Sequence, residues 1–349
     1  MVDLKPMNVL GYLNEKYGTA TIKKIFPLGA GAHGEGFRVE FEADGVDRTV
    51  IVKTLLGESF GHEYPADRAQ VFIQAHTAYN LMQNHVKSID VVGMGPQGLA
   101  SLGTPEEYFI VMEEAPGRPY FEDLDRVRGS GVTEEDRAKV EKLADFLAEL
   151  HASKIENPSL YRRKIRDTVG HGECLMGVFD TYPTTEFTSE IELVQITMKA
   201  VKWWGRIKDM GHRLSTVHGD FHPGNIYWDE ENFTLLDRSR GLYGDPADDL
   251  SALAINFIFY DLQQTVDFTG PYRELFDLFF ERYLSWTHDD EVFQTIAPFF
   301  AFRAAVVANP MLYPDVDDSV RRKMFNFAQN ILDTDVFDWK NVQAYFTRM

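Results

Sequence analysis

Apolar and polar residues alternate from Phe37 onward, with Phe37, Val39 and Phe41 on one side and Arg38, Glu40 and Glu42 on the other. That period of two is the signature of a half-buried strand. Asp44-Gly45 then marks a turn, and the β-branched run Thr49-Val50-Ile51-Val52-Lys53 follows as a partner strand. With a further strand around Ile22–Pro27, residues 20–53 predict an antiparallel sheet whose first turn is Gly29-Ala30-Gly31-Ala32-His33-Gly34. Pro65–Met82 reads as a helix and Tyr108–Met112 as a compact apolar strand, closed by the Pro116-Gly117 stop. Past that point the period changes. Thr133 with Asp136 makes a capping-box-like start, and Val140, Leu143, Phe146, Leu147 and Leu150 recur on one helical face. Further helices are expected over 190–210, 247–262, 272–286, 295–308 and 318–332. The pattern predicts an α+β chain with a small antiparallel, β-rich lobe over residues 1–115 and a larger, mainly α-helical lobe over residues 116–349.

Length agrees with two lobes, since 349 residues exceed what one hydrophobic core usually holds. Apolar residues at 44% and charged residues at 26% are ordinary for globular proteins and exclude disordered and low-complexity classes. No stretch approaches the ~20 apolar residues that a bilayer requires, because the run Phe299–Ala308 is interrupted by Arg303. The first residues lack the pattern of a secretory signal. A single cysteine, Cys174, forms no internal disulfide and suits a reducing compartment, so a cytoplasmic protein without a membrane segment is expected. The net charge of −19 argues against a nucleic-acid partner, whose affinity comes largely from Lys and Arg on phosphates.

Candidate chemistry gathers in His218-Gly219-Asp220-Phe221-His222-Pro223-Gly224-Asn225. Phosphoryl transfer asks a protein for a group to position the nucleophile, for metal ligands and for a cation on the phosphates. A loop of this length lets Asp220 face an incoming hydroxyl while Asn225 turns back to a metal. Leu235-Leu236-Asp237 brings a second carboxylate back over the loop after a hairpin, and Mg²⁺ favours such hard oxygen ligands. Taken singly, an Asp or Asn in a Gly/Pro loop is a turn former; the order and spacing together are what point to chemistry.

These residues resemble the aminoglycoside phosphotransferase and choline kinase-like families: a His-Gly-Asp, four residues, an Asn, an Asp on the next hairpin, then Gly244-Asp245-Pro246-Ala247-Asp248-Asp249. The resemblance implies a bilobal protein-kinase-like fold, with Asp220 as catalytic base and Asn225 and Asp237 as Mg²⁺ ligands. It also implies that Asp249 supports the loop by accepting its backbone N–H groups. His218 is read as a buried loop organiser, and Asp245 as either a site residue or the acid at the N-cap of the helix that follows. In the first lobe, Gly29, Gly31 and Gly34 precede a strand rather than a helix, the context of a kinase phosphate-covering loop. Lys53 stands where the family's strand lysine meets the α/β-phosphates, and backbone groups around Glu113 and Ala115 where the hinge reads the base.

Two departures stand out. The helix after Lys53 offers Gln74 where relatives carry a glutamate that pairs with the lysine, and a neutral amide holds an ammonium less firmly than a carboxylate. Asp237 is followed by Arg238-Ser239-Arg240, whose arginines are expected to bond acidic neighbours or phosphate. The function so implied is transfer of the γ-phosphate of ATP or GTP, with Mg²⁺, to a hydroxyl of a small metabolite or aminoglycoside-like acceptor. The alternative is a catalytically silent nucleotide-binding regulator of the same fold.

Overall fold

In a computed structural model of the protein, residues 4–30, 34–57, 61–81, 83, 86–103, 110, 112–183, 185–265 and 267–347 are described. The chain divides into two compact units, residues 1–112 and 113–349.

The first unit opens with a helix, α1 (Pro6–Tyr17), whose Pro6 lies in the first turn, where its missing N–H costs nothing. Strands β1 (Ala20–Ala30), β2 (Gly34–Ala43) and β3 (Val46–Leu55) form an antiparallel sheet in that order. The β2–β3 hairpin turns on Asp44 and Gly45, both at positive φ (50° and 77°), as a two-residue turn matched to strand twist requires. At Gly34 a Cβ would lie 2.2 Å from the Thr54 carbonyl oxygen, so only glycine lets the strands approach there. Val9, Tyr12 and Leu13 of α1 join Val39, Phe41 and Ala43 in one apolar cluster. Helix α2 (Pro65–Leu81) buries none of its residues, and the hairpin β4 (Val92–Gly95) and β5 (Gly98–Ser101) completes the described elements. Most of the expected strand over 108–112 falls outside the described residues. Ile110 and Met112 belong to no strand and are exposed.

The second unit begins with β6 (Arg118–Pro119), α3 (Phe121–Ser130) and α4 (Glu134–His151). Thr133 caps α4 with the anticipated reciprocal box: its hydroxyl accepts from the Asp136 N–H, and the Asp136 carboxylate accepts from the Thr133 N–H at 2.8 Å. Val140, Leu143 and Leu147 form part of its buried face. Helices α5 (Pro158–Gly170), α6 (Leu175–Asp180) and α7 (Glu190–Ile207) precede four short strands: β7 (Ser215–Thr216), β8 (Ile226–Asp229), β9 (Asn232–Leu235) and β10 (Tyr243–Gly244). Then come α8 (Pro246–Leu262), α9 (Pro271–Thr287), α10 (Ala297–Val307) and α11 (Asp318–Leu332). Every residue of α8 except Tyr260 is buried, and every residue of α10 except Val306. Helices apolar on all sides belong at the centre of a bundle, and α10 packs against both α8 and α11 while α4 packs against α9. Among the described residues no helix is long and apolar enough to cross a membrane.

Candidate active site

Two small antiparallel sheets set the geometry of the loop 217–225. β7 leads into it and pairs with β10, Thr216 opposite Tyr243 and Ser215 opposite Gly244. β8 leads out of it and pairs with β9, and the Leu236 N–H extends that ladder by donating to the Asn225 carbonyl at 2.9 Å. Loop, Asp237 and the N-terminus of α8 are thereby drawn to one place, although 29 positions separate Asp220 from Asp249.

Asp249, fully buried, accepts from the His218 N–H at 2.8 Å and the Gly219 N–H at 2.7 Å. His151 braces it at 3.1 Å and is braced in turn by the Tyr283 hydroxyl at 2.9 Å. A carboxylate on two backbone donors makes strong, charge-assisted bonds. His218 is buried; its Nε2 bonds the Leu236 carbonyl at 2.9 Å and its Nδ1 accepts from the Asp220 N–H at 3.2 Å. His222 Nδ1 accepts from the Gly224 N–H, capping the turn of 3₁₀ helix over Pro223–Asn225. Asn225 donates its amide to the Asp220 carbonyl at 3.1 Å, which turns Oδ1 away as the atom available to a cation.

Asp220 is 8% exposed. Its Oδ1 accepts from Arg303 Nη1, and its Oδ2 lies 3.4 Å from Arg240 Nη2. Burial alone would push this carboxyl up, but Arg303 and Arg240 outweigh it and hold the group below the ordinary carboxylate range. Arg303 also donates to the Gly219 carbonyl at 3.0 Å and to Asp248 Oδ1 at 2.8 Å, while Lys164 lies 2.8 Å from Asp248 Oδ2. Arg238 bonds backbone carbonyls instead, Val217 at 2.8 Å and Leu242 at 3.1 Å.

Asp237 is exposed and has φ of 53°, a conformation uncommon outside glycine and one in which Asp is enriched. A small recess lined by Phe146, Leu150, His218, Leu235, Leu236 and Arg238 opens beside it. Among the described residues no three His, Cys, Asp or Glu side chains cluster as a closed metal site. Asn225 Oδ1 and the Asp237 carboxylate are two hard oxygen donors, a set that suits Mg²⁺, which takes most of its coordination from water and phosphate. Asp245 has no capacity left for a metal: it caps α8 through the Ala247 N–H at 3.0 Å and accepts from Arg213 at 2.9 and 3.2 Å and from the Tyr161 hydroxyl at 2.7 Å.

Gly29 lies near the end of β1 and Gly34 starts β2, while Gly31 lies outside the described residues. Lys53 on β3 is exposed, and Gln74 is exposed on α2; no hydrogen bond or ion pair joins them. Glu113 and Ala115 lie in irregular chain at the start of the second unit. Sequence reasoning missed Arg303, Asp248 and Lys164 around Asp220. The signal was a lone arginine in an apolar helix, since a charge there must find a counter-charge.

The loop with Asp220 and Asn225 and the hairpin that ends at Asp237 are braced from the first turn of α8, and the family that the chain matches is one of kinase-type phosphotransferases. The family described as the phosphotransferase enzyme family, APH, matches residues 27–289, and the chain belongs to it, with its protein-kinase-like fold. No curated protein matches the chain in sequence. Similar solved structures include the amicoumacin kinase hAmiN in complex with AMP-PNP, Ca²⁺ and Ami, at 16% identity over 92% of both chains with a TM-score of 0.42. The apo form of a thermostable mutant of the aminoglycoside phosphotransferase APH(4)-Ia is 14% identical over 97% of both chains, with a TM-score of 0.34. The choline kinase from Cryptosporidium parvum Iowa II is 12% identical over 97% of this chain and 92% of that one, with a TM-score of 0.32.

Proposed function

We propose that this small-molecule phosphotransferase moves the γ-phosphate of ATP or GTP to a hydroxyl of a small acceptor, as a cytoplasmic enzyme using Mg²⁺. The observation that carries the reading is the arrangement of Asp220, Asn225 and Asp237 on one braced loop and hairpin, with the Asn225 amide nitrogen held by the Asp220 carbonyl and Asp237 exposed. Asp220 receives the hydrogen of the acceptor hydroxyl and aims its oxygen at phosphorus. Its carboxyl, held below the ordinary range, is charged at neutral pH and so accepts this bond. Asn225 and Asp237 hold Mg²⁺, which when bound neutralises charge on the phosphate oxygens. The backbone of the turn Gly29–Gly34, including Gly31, and the Lys53 ammonium contact the phosphates, with Gln74 on the helix that follows as the candidate partner of Lys53. Backbone groups at Glu113 and Ala115 read the base. In favour of the silent-regulator alternative is Gln74, a neutral amide where relatives carry a glutamate that pairs with the strand lysine.

Nucleotide consumption with Mg²⁺ across a panel of hydroxyl-bearing acceptors separates the two. Turnover is expected with at least one acceptor, and Asp220→Asn should lower kcat by ~10²–10⁴-fold while Mg-nucleotide affinity stays within about 2-fold. No turnover with any acceptor, or an Asp220→Asn enzyme retaining more than about a tenth of kcat, overturns the reading.

A further inference from the structure

Arg303 poses a question that the catalytic loop by itself does not answer. It is a charge in the middle of α10, its side chain 6% exposed, on a helix otherwise built of Ala, Phe, Val and one Pro. A buried ion pair is weak evidence for stability, because well-packed apolar residues of similar size commonly serve as well. Its contacts are specific. One guanidinium face meets Asp220 Oδ1 and the Gly219 carbonyl, so it grips both the side chain and the backbone of the loop. The Nη2 that donates to the Gly219 carbonyl also donates to Asp248 Oδ1, and Asp248 is fixed by Lys164 through its other oxygen. The chain of contacts runs from α5 through α8 and α10 to Asp220, and a planar guanidinium imposes orientation where a single ammonium would not.

We propose that Arg303 is a positioning residue for Asp220. By occupying Oδ1 and anchoring Gly219, it fixes the plane of the carboxylate so that Oδ2 is the oxygen offered to the acceptor hydroxyl. This rests on the phosphotransfer reading above. Arg240, 3.4 Å from Oδ2, is too distant for a good hydrogen bond and leaves that oxygen able to accept one. In this role Arg303 touches neither nucleotide nor acceptor and acts through Asp220.

The test compares Arg303→Lys with wild type, each alone and combined with Asp220→Asn, measuring kcat, acceptor KM and Mg-nucleotide Kd on protein whose fold is checked by melting. Lysine keeps the charge, so the variant retains a counter-ion for Asp248, but it loses the fork. Misplacing a reacting group by about 1 Å costs on the order of 10²-fold; Arg303→Lys should therefore lower kcat by roughly 10–10²-fold, with KM and Kd changed by less than about 2-fold. In the Asp220→Asn background the same change should add less than about 2-fold, because Arg303 acts only through the carboxylate. Guanidinium ion at low millimolar concentration should restore part of the rate to Arg303→Ala and none to Arg303→Ala/Asp220→Asn. Unchanged kcat in Arg303→Lys, or an equal loss in both backgrounds, overturns the positioning role while leaving phosphotransfer intact. A wild-type protein without turnover takes down both.

Discussion

Asp248→Asn is the substitution whose cost the structure lets one work out in advance. The side chain is 3% exposed and carries two cations, Arg303 at 2.8 Å and Lys164 at 2.8 Å. Burial would raise its carboxyl, but Lys164 and Arg303 outweigh burial and hold it at about 2, against an ordinary value of 3.8. At 1.36 kcal/mol per unit, that depression is worth about 2 kcal/mol of folding stability at neutral pH. Asparagine removes it and leaves two buried cations short of a counter-charge, so the loss at pH 7 should be about 3–5 kcal/mol. The sign with pH follows from the depressed value. The contribution is complete above the unfolded carboxyl's range near 3.8 and disappears as pH falls through about 2. The gap between wild type and variant should therefore narrow by about 1 kcal/mol between pH 5 and pH 3. Urea denaturation followed by tryptophan fluorescence reads this, since Trp203, Trp228 and Trp339 are all buried in the second unit, and urea leaves charges unscreened. A variant within about 0.5 kcal/mol of wild type at pH 7, as for an ordinary surface site, or a gap independent of pH, refutes the reasoning.

Asp237→Ala should abolish Mg²⁺-dependent strengthening of nucleotide binding as well as turnover; unaltered affinity in calorimetric titration would make Asp237 a merely solvated hairpin residue. Lys53→Ala should weaken nucleotide binding and slow turnover together, whereas Gln74→Glu should leave activity intact or raise it. Wild-type kinetics in Lys53→Ala would remove the lysine from the phosphate site. Raising ionic strength from about 0.01 to 0.15 M, which shortens the Debye length from about 30 to 8 Å, should change kcat/KM no more for a cationic acceptor than for a neutral sugar alcohol. A marked loss confined to the cationic acceptor would show steering by uncompensated carboxylates.

Much of the fold was legible because its signals are local. The alternation over Phe37–Phe41, the Asp44-Gly45 turn and the Thr133/Asp136 box each lie within a few residues, and β2, β3 and α4 formed around them. The helices α8, α9, α10 and α11 fell within a few residues of their expected bounds. Helix α1 was missed although Pro6 and the spacing of Val9, Tyr12 and Leu13 mark it, because 12 residues of low contrast are a weak pattern until the sheet offers them a face. The loop 217–225 was legible for a different reason: its residue types are unusual in combination, whatever the surrounding fold. What no local pattern carries is which distant charge meets which. Arg303 registers in the sequence only as a break in an apolar run, and its pairing with Asp220 spans 83 positions. Arg213 reaches Asp245 across 32. Such pairs are decided by how helices pack, and packing is a property of the assembled unit.

The same pairings decide what the acidic balance of the chain means. A net charge of −19 invites the idea of a cleft that attracts cations. Residues 1–115 hold 9 Lys+Arg against 15 Asp+Glu, a net of −6, which leaves −13 for residues 116–349, so the surplus is spread rather than focused. Around the loop the carboxylates are already engaged. Asp220 meets Arg303 and Arg240, Asp248 meets Arg303 and Lys164, Asp245 meets Arg213, and Asp249 meets two backbone N–H groups and His151. Asp237 alone of these stands exposed. The buried carboxylates around the loop are thus matched by cations or backbone donors and add little uncompensated negative charge there. Net charge argues for solubility; the choice of acceptor rests with residues whose charges are not already answered.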